Sequence, residues 1–138
     1  MKITLNRLND KLAFQASNEE GVTANFDANP AIGGEGLGLR PMEMLVASMA
    51  SCASIDVLLI LKKKRIELSH YHVDVEATRL DAVPAAFESI NLIFQIGEND
   101  PIEQVEKAVQ LSVEKYCSVS ASLAKEIKIS FIVKRKGN

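Results

Sequence analysis

The sequence predicts an α+β fold, and three observations carry that reading. Apolar residues recur at period two in short runs near the N-terminus and again beyond residue 70. The stretch from Met44 to Leu61 is apolar or small almost throughout, and a further stretch after Asp100 repeats at helical spacing. The 138 residues suit a single domain, 1–138, too small for two separate cores.

Ile3 and Leu5, then Leu12, Phe14 and Ala16, then Val22, Ala24 and Phe26 alternate, with Asn9-Asp10 and Asn18-Glu19-Glu20-Gly21 as turn chemistry between them. Three short antiparallel strands are expected. Residues 28–40 hold Pro30 and glycines 33, 34, 36 and 38, and read as a mobile loop. Pro41 suits the first turn of a helix that runs through Leu61 to the basic Lys62-Lys63-Lys64-Arg65. Ser48, Ser51, Ser54 and Asp56 interrupt its apolar run. An Asp near the centre of a membrane span costs roughly 2.5–3.5 kcal/mol, so no membrane is expected. A helix apolar on every side is instead covered on every side, here by a sheet and by a partner subunit.

Tyr71, Val73, Val75 and Ala77, and then Ile90, Leu92, Phe94 and Ile96, mark two half-buried strands. Asp100 reads as an N-cap, with Pro101 first and Glu103 third in a helix whose face carries Ile102, Val105, Val109, Val113 and Tyr116. Ser118 can cap a further short turn through Leu123, and Ile127, Ile129, Phe131 and Val133 make a last strand.

A net charge of -2 is too small to gather phosphates, and 5% aromatic residues with no Trp offer no stacking platform, so nucleic acid is not expected. Two cysteines cannot staple a secreted scaffold, and Met1-Lys2-Ile3-Thr4 does not open like a signal peptide. The expected setting is cytoplasmic and reducing, with both cysteines as thiols.

Those cysteines are the sharpest chemical feature. Cys52 falls in the third turn of the apolar helix and Cys117 at the end of the second, 65 residues later. Neither lies in a CxxC, and zinc would require four ligands in local pairs, so no metal is expected. Residue types alone leave open whether they are small buried hydrophobes or reactive thiols. Ser48 and Asp56 share the Cys52 stripe at four residues either side, whereas Glu43 points nearly opposite. Asp56 would oppose a Cys52 thiolate, so a cation from elsewhere is needed. His70 and His72 share a strand face turned to solvent and lack a third ligand. The glycines form no phosphate loop and the serines no nucleophile elbow.

Residues 41–57, PMEMLVASMASCASIDV, together with Lys115-Tyr116-Cys117-Ser118-Val119, resemble the OsmC/Ohr family of thiol-dependent hydroperoxide reductases. The likeness is strongest to its less characterised subgroup with a P-x-E-L/M-L opening before the cysteine. It implies an OsmC-like fold: two long central helices with antiparallel sheets in an intertwined homodimer, the active sites at the subunit interface. It also implies that Cys52 attacks the hydroperoxide, that Cys117 resolves the sulfenic acid to a disulfide, and that a dithiol reductant reopens it without a cofactor. Characterised members carry a Glu after the proline bonded to an upstream Arg; Met42 and Pro30 stand in those places here. Arg40 and Glu43 are the nearest replacements by type, Arg40 being the candidate cation. Two other functions stay open: a dimeric small-molecule binding protein of the same fold, and a general thiol–disulfide oxidoreductase.

Overall fold

The first strands form where the period-two runs lie. β1 (Thr4–Arg7), β2 (Phe14–Ser17) and β3 (Thr23–Phe26) make an antiparallel sheet in that order. Its register sets Leu5, Ala16 and Ala24 in one row, as the alternation requires. The side-chain oxygens of Asn9 and Asn18 accept backbone N–H groups two and four residues on, closing both turns. The computed structural model describes residues 1–137 and resolves into two compact units, Met1–Leu45 and the chain from Val46 onward.

Residues 28–40, expected to be a mobile loop, are tied down inside the first unit. The buried Asp27 carboxylate accepts N–H groups of Ala28, Glu35 and Leu37 at 2.7, 2.9 and 3.0 Å. Those bonds, Leu37's foremost, hold its carboxyl below the ordinary aspartate range. Leu39 runs beside Phe26 as an isolated parallel bridge, and two glycines allow the close approach. A Cβ on Gly34 would lie 1.9 Å from the Ala28 carbonyl oxygen, and one on Gly38 would lie 2.4 Å from Asn25 backbone.

α1 (Pro41–Lys63) begins on its proline, as expected. It ends in a Schellman turn: Ile66 N–H donates to Leu61 and Arg65 N–H to Lys62, with Arg65 in the left-handed region at φ 59°. Met49, Ala53, Val57 and Leu61, spaced by four, are its buried stripe. By length and composition alone α1 could cross a membrane, at a mean hydropathy of 2.1. That stripe is packed into a protein core instead.

β4 (Tyr71–Arg79), β5 (Phe87–Ile96) and β6 (Lys128–Arg135) form the second sheet. β4 and β5 are antiparallel, but β5 and β6 run parallel, which corrects the expectation of purely antiparallel sheets. The physical reason is the helical connection between β5 and β6, a crossover that a parallel pair requires. Ile90, Leu92, Phe94 and Ile96 fill the core with Val105, Ala108 and Val109 of α2 (Ile102–Leu111). Asp100 is not the N-cap of α2. Its buried carboxylate accepts from the N–H groups of Gly97 and Ser69 at 2.7 and 3.0 Å and from the Ser69 hydroxyl at 3.0 Å, fastening the segment before β4 to the one after β5.

The second helix is also shorter than the long partner helix expected. After Leu111 the hydrogen bonds widen to an i→i−5 π-turn over Ser112–Tyr116, and a short α3 (Ser118–Ala121) follows.

Candidate functional site

Cys52 is delivered by the middle of α1 and is half-buried, whereas Cys117 is buried at the junction of the π-turn and α3. The 64 residues between them are folded so that the two sulfurs lie side by side, both as free thiols. Cys117, not Ser118, caps α3: its Sγ accepts the Ser120 N–H at 3.4 Å and faces the Met49 carbonyl at 4.0 Å. Burial pushes the Cys117 thiol up, the neighbouring Cys52 sulfur adds to the rise, and the Ser120 N–H opposes it in part.

The π-turn is what places it. On a continued α-helix, at about 100° per residue, Tyr116 would follow the stripe of Val105, Ala108, Val109 and Ser112, and Cys117 would point about 130° away. Instead Tyr116 is 49% exposed and Cys117 only 3%. The widened turn absorbs one residue and exchanges their places, so the sequence pattern that put Tyr116 on the buried face is corrected by one position.

Asp56 has a partner that spacing along its own helix could not disclose. Its Oδ2 accepts from Ser112 Oγ at 3.0 Å, and the same hydroxyl lies 3.4 Å from the Ala53 carbonyl. Ser112 is fully buried. Its signal in the sequence is a small polar residue on the otherwise apolar stripe of Val105, Ala108 and Val109.

Arg40 and Glu43 meet each other. Arg40 Nε donates to Glu43 Oε1 at 2.7 Å, its Nη2 donates to the same oxygen, and the Arg40 backbone N–H donates to Oε2 at 2.9 Å. The last bond is the return arm of a capping box at the start of α1. Arg40's side chain, foremost, and then its backbone N–H hold the Glu43 carboxyl below the ordinary glutamate range. His72 pairs with Asp74 at 2.9 Å on the exposed strand face, and no cluster able to hold a metal occurs among the described residues. The buried Tyr71 hydroxyl approaches Ser54 without a well-formed hydrogen bond.

Residues 34–131 match the family described as OsmC-like protein. The chain belongs to the OsmC-like family. Protein YhfA of Escherichia coli (strain K12) is 38% identical over 91 residues, covering 65% of this chain and 68% of YhfA. A hypothetical protein from Aquifex aeolicus VF5 superposes with a TM-score of 0.78 at 32% identity, over 99% of this chain and 97% of that one. The organic hydroperoxide resistance protein OhrB of Bacillus subtilis shares the fold at a TM-score of 0.67 and 17% identity, over 96% of each chain. This OsmC-like chain therefore shares its fold with OhrB and holds a pair of adjacent cysteines.

Proposed function

We propose that this OsmC-like protein is a thiol peroxidase for organic hydroperoxides. The observation that carries the reading is the pairing of a half-buried Cys52 with a buried Cys117 beside it. The Cys52 thiolate attacks the distal peroxide oxygen; an S–O bond forms, the O–O bond breaks, and the alcohol leaves with a proton. Cys117 then attacks the sulfenic sulfur, the S–S bond forms, and the hydroxyl leaves as water with the Cys117 proton. A dithiol reductant takes the disulfide by exchange and is itself oxidised, so each turnover consumes one hydroperoxide and one dithiol. No cofactor enters.

Ile55 and Leu59, three and seven residues beyond Cys52, lie on the same side of α1, 60% and 53% exposed on the single chain, and in a dimer they would wall the thiol between the two copies. Apolar surface beside the thiol favours an alkyl or acyl hydroperoxide over hydrogen peroxide. We assign Arg40 as the cation that supports the thiolate, with Glu43 as its partner, in place of the family's displaced Glu and Arg. The protein works as a homodimer in the cytoplasm, where reduced thiols persist.

Stopped-flow oxidation of the reduced protein tests the reading. An organic hydroperoxide should consume both thiols faster than hydrogen peroxide does, leaving a Cys52–Cys117 disulfide in non-reduced peptide maps, and Cys52→Ser should abolish the reaction. Thiols untouched by either oxidant would favour the small-molecule binding protein.

A further inference from the structure

We propose that Asp56 and Ser112 are positioning residues that set the π-turn and thereby deliver Cys117 to Cys52. The inference deepens the peroxidase reading and rests on it for Cys52 as the sulfur that is attacked. Ser112 stands where two hydrogen-bond demands meet. Its carbonyl accepts the Cys117 N–H at 2.8 Å, the i→i−5 bond that closes the widened turn. Its hydroxyl donates to Asp56 Oδ2 at 3.0 Å, across to the helix that carries Cys52.

A π-turn is rare, and it persists where the surroundings favour it over the tighter α-register. Here the tighter register would turn Tyr116 into the core and Cys117 out of it. Ser112 is fully buried, so its hydroxyl finds no water in place of Asp56, and that bond pins the residue whose carbonyl closes the turn. Asp56 anchors the turn from α1, four residues and one helical turn beyond Cys52. The thiol and the anchor of its partner therefore ride on one rigid element, and the distance between the sulfurs is fixed by a bond that touches neither.

The test uses an aromatic disulfide, 5,5′-dithiobis(2-nitrobenzoate), and needs no peroxide. The Cys52 thiolate displaces one thionitrobenzoate and keeps the other as a mixed disulfide. Cys117 then attacks the Cys52 sulfur, releasing the second thionitrobenzoate and closing the intrachain disulfide. The first release reads Cys52 and the second reads delivery of Cys117. Asp56→Ala and Ser112→Ala should each slow the second release at least about tenfold, as a misplacement of about an ångström does. Asp56→Asn keeps an oxygen for the Ser112 hydroxyl and should restore the rate to within about twofold of wild type. The double Asp56→Ala/Ser112→Ala variant should be no slower than the slower single, since both remove one bond.

Second release at the wild-type rate in both alanine variants would overturn the proposal. So would an Asp56→Asn variant as slow as Asp56→Ala, or a wild-type protein that releases only one equivalent. A wild type that releases both equivalents yet ignores hydroperoxides would overturn the peroxidase reading alone and leave the positioning role standing.

Discussion

Arg40 gives its guanidinium and its backbone N–H to one carboxylate, that of Glu43, so a residue type chosen as a cation also secures the start of a helix. Both side chains are half exposed, and such a pair contributes little to stability. Its weight is expected in reactivity. Arg40→Ala should slow iodoacetamide alkylation of Cys52 about tenfold at pH 7, the factor of one pKa unit, measured from pH 6 to 9 in a Cys117→Ser background. Equal rates with and without Arg40 would remove it from the mechanism. At this scale the sequence singled out the two cysteines, since thiols are scarce, but left open whether they are buried hydrophobes or reactive thiols; the fold adds that they lie together. Ser112 was not, since nothing about a serine on a helix announces an aspartate 56 residues away.

Among the elements, Asp100 shows how a correct residue can be given the wrong task. The Asp-Pro-x-Glu pattern is that of a helix start, but the carboxylate serves two chain segments brought together by β4 and β5 instead. Burial alone would raise its pKa, yet the N–H groups of Ser69 and Gly97, with the Ser69 hydroxyl, outweigh that and hold it below the ordinary range. A depressed carboxyl stabilises the fold above its unfolded pKa, and that stability is lost as the pH falls through the folded value. Asp100→Asn should therefore cost about 1–3 kcal/mol at neutral pH, and the deficit should shrink as urea melts are taken from about pH 6 to about pH 2. A deficit constant across that range would mean that the charge is not what matters. Helix α1 and the strands were legible from period and from Pro41. The π-turn and the parallel β5–β6 pairing were not, because both depend on contacts between distant segments rather than on local pattern.

Within each compact unit, large apolar side chains are left exposed on the single chain. α1 leaves Ile55, Leu58 and Leu59 at 60%, 45% and 53% exposure, and within the first unit Ile3, Leu5, Val22 and Ile32 are each more than half exposed. The sequence already called for a second cover over α1, and the folded chain supplies only the Met49 to Leu61 stripe. A second copy is the cover we propose, and this sets the last prediction. Sedimentation at micromolar concentration should give twice the 15.1 kDa chain mass. Leu59→Glu should shift the protein toward monomer and lower its melting temperature in a concentration-dependent way, because a charge buried at an interface is costly and oligomer stability follows mass action. On a surface that truly faces water, the same change would fall within about 0.5 kcal/mol of neutral. A folded wild-type monomer, with Leu59→Glu indistinguishable from it, would show that the apolar face of α1 needs no second chain.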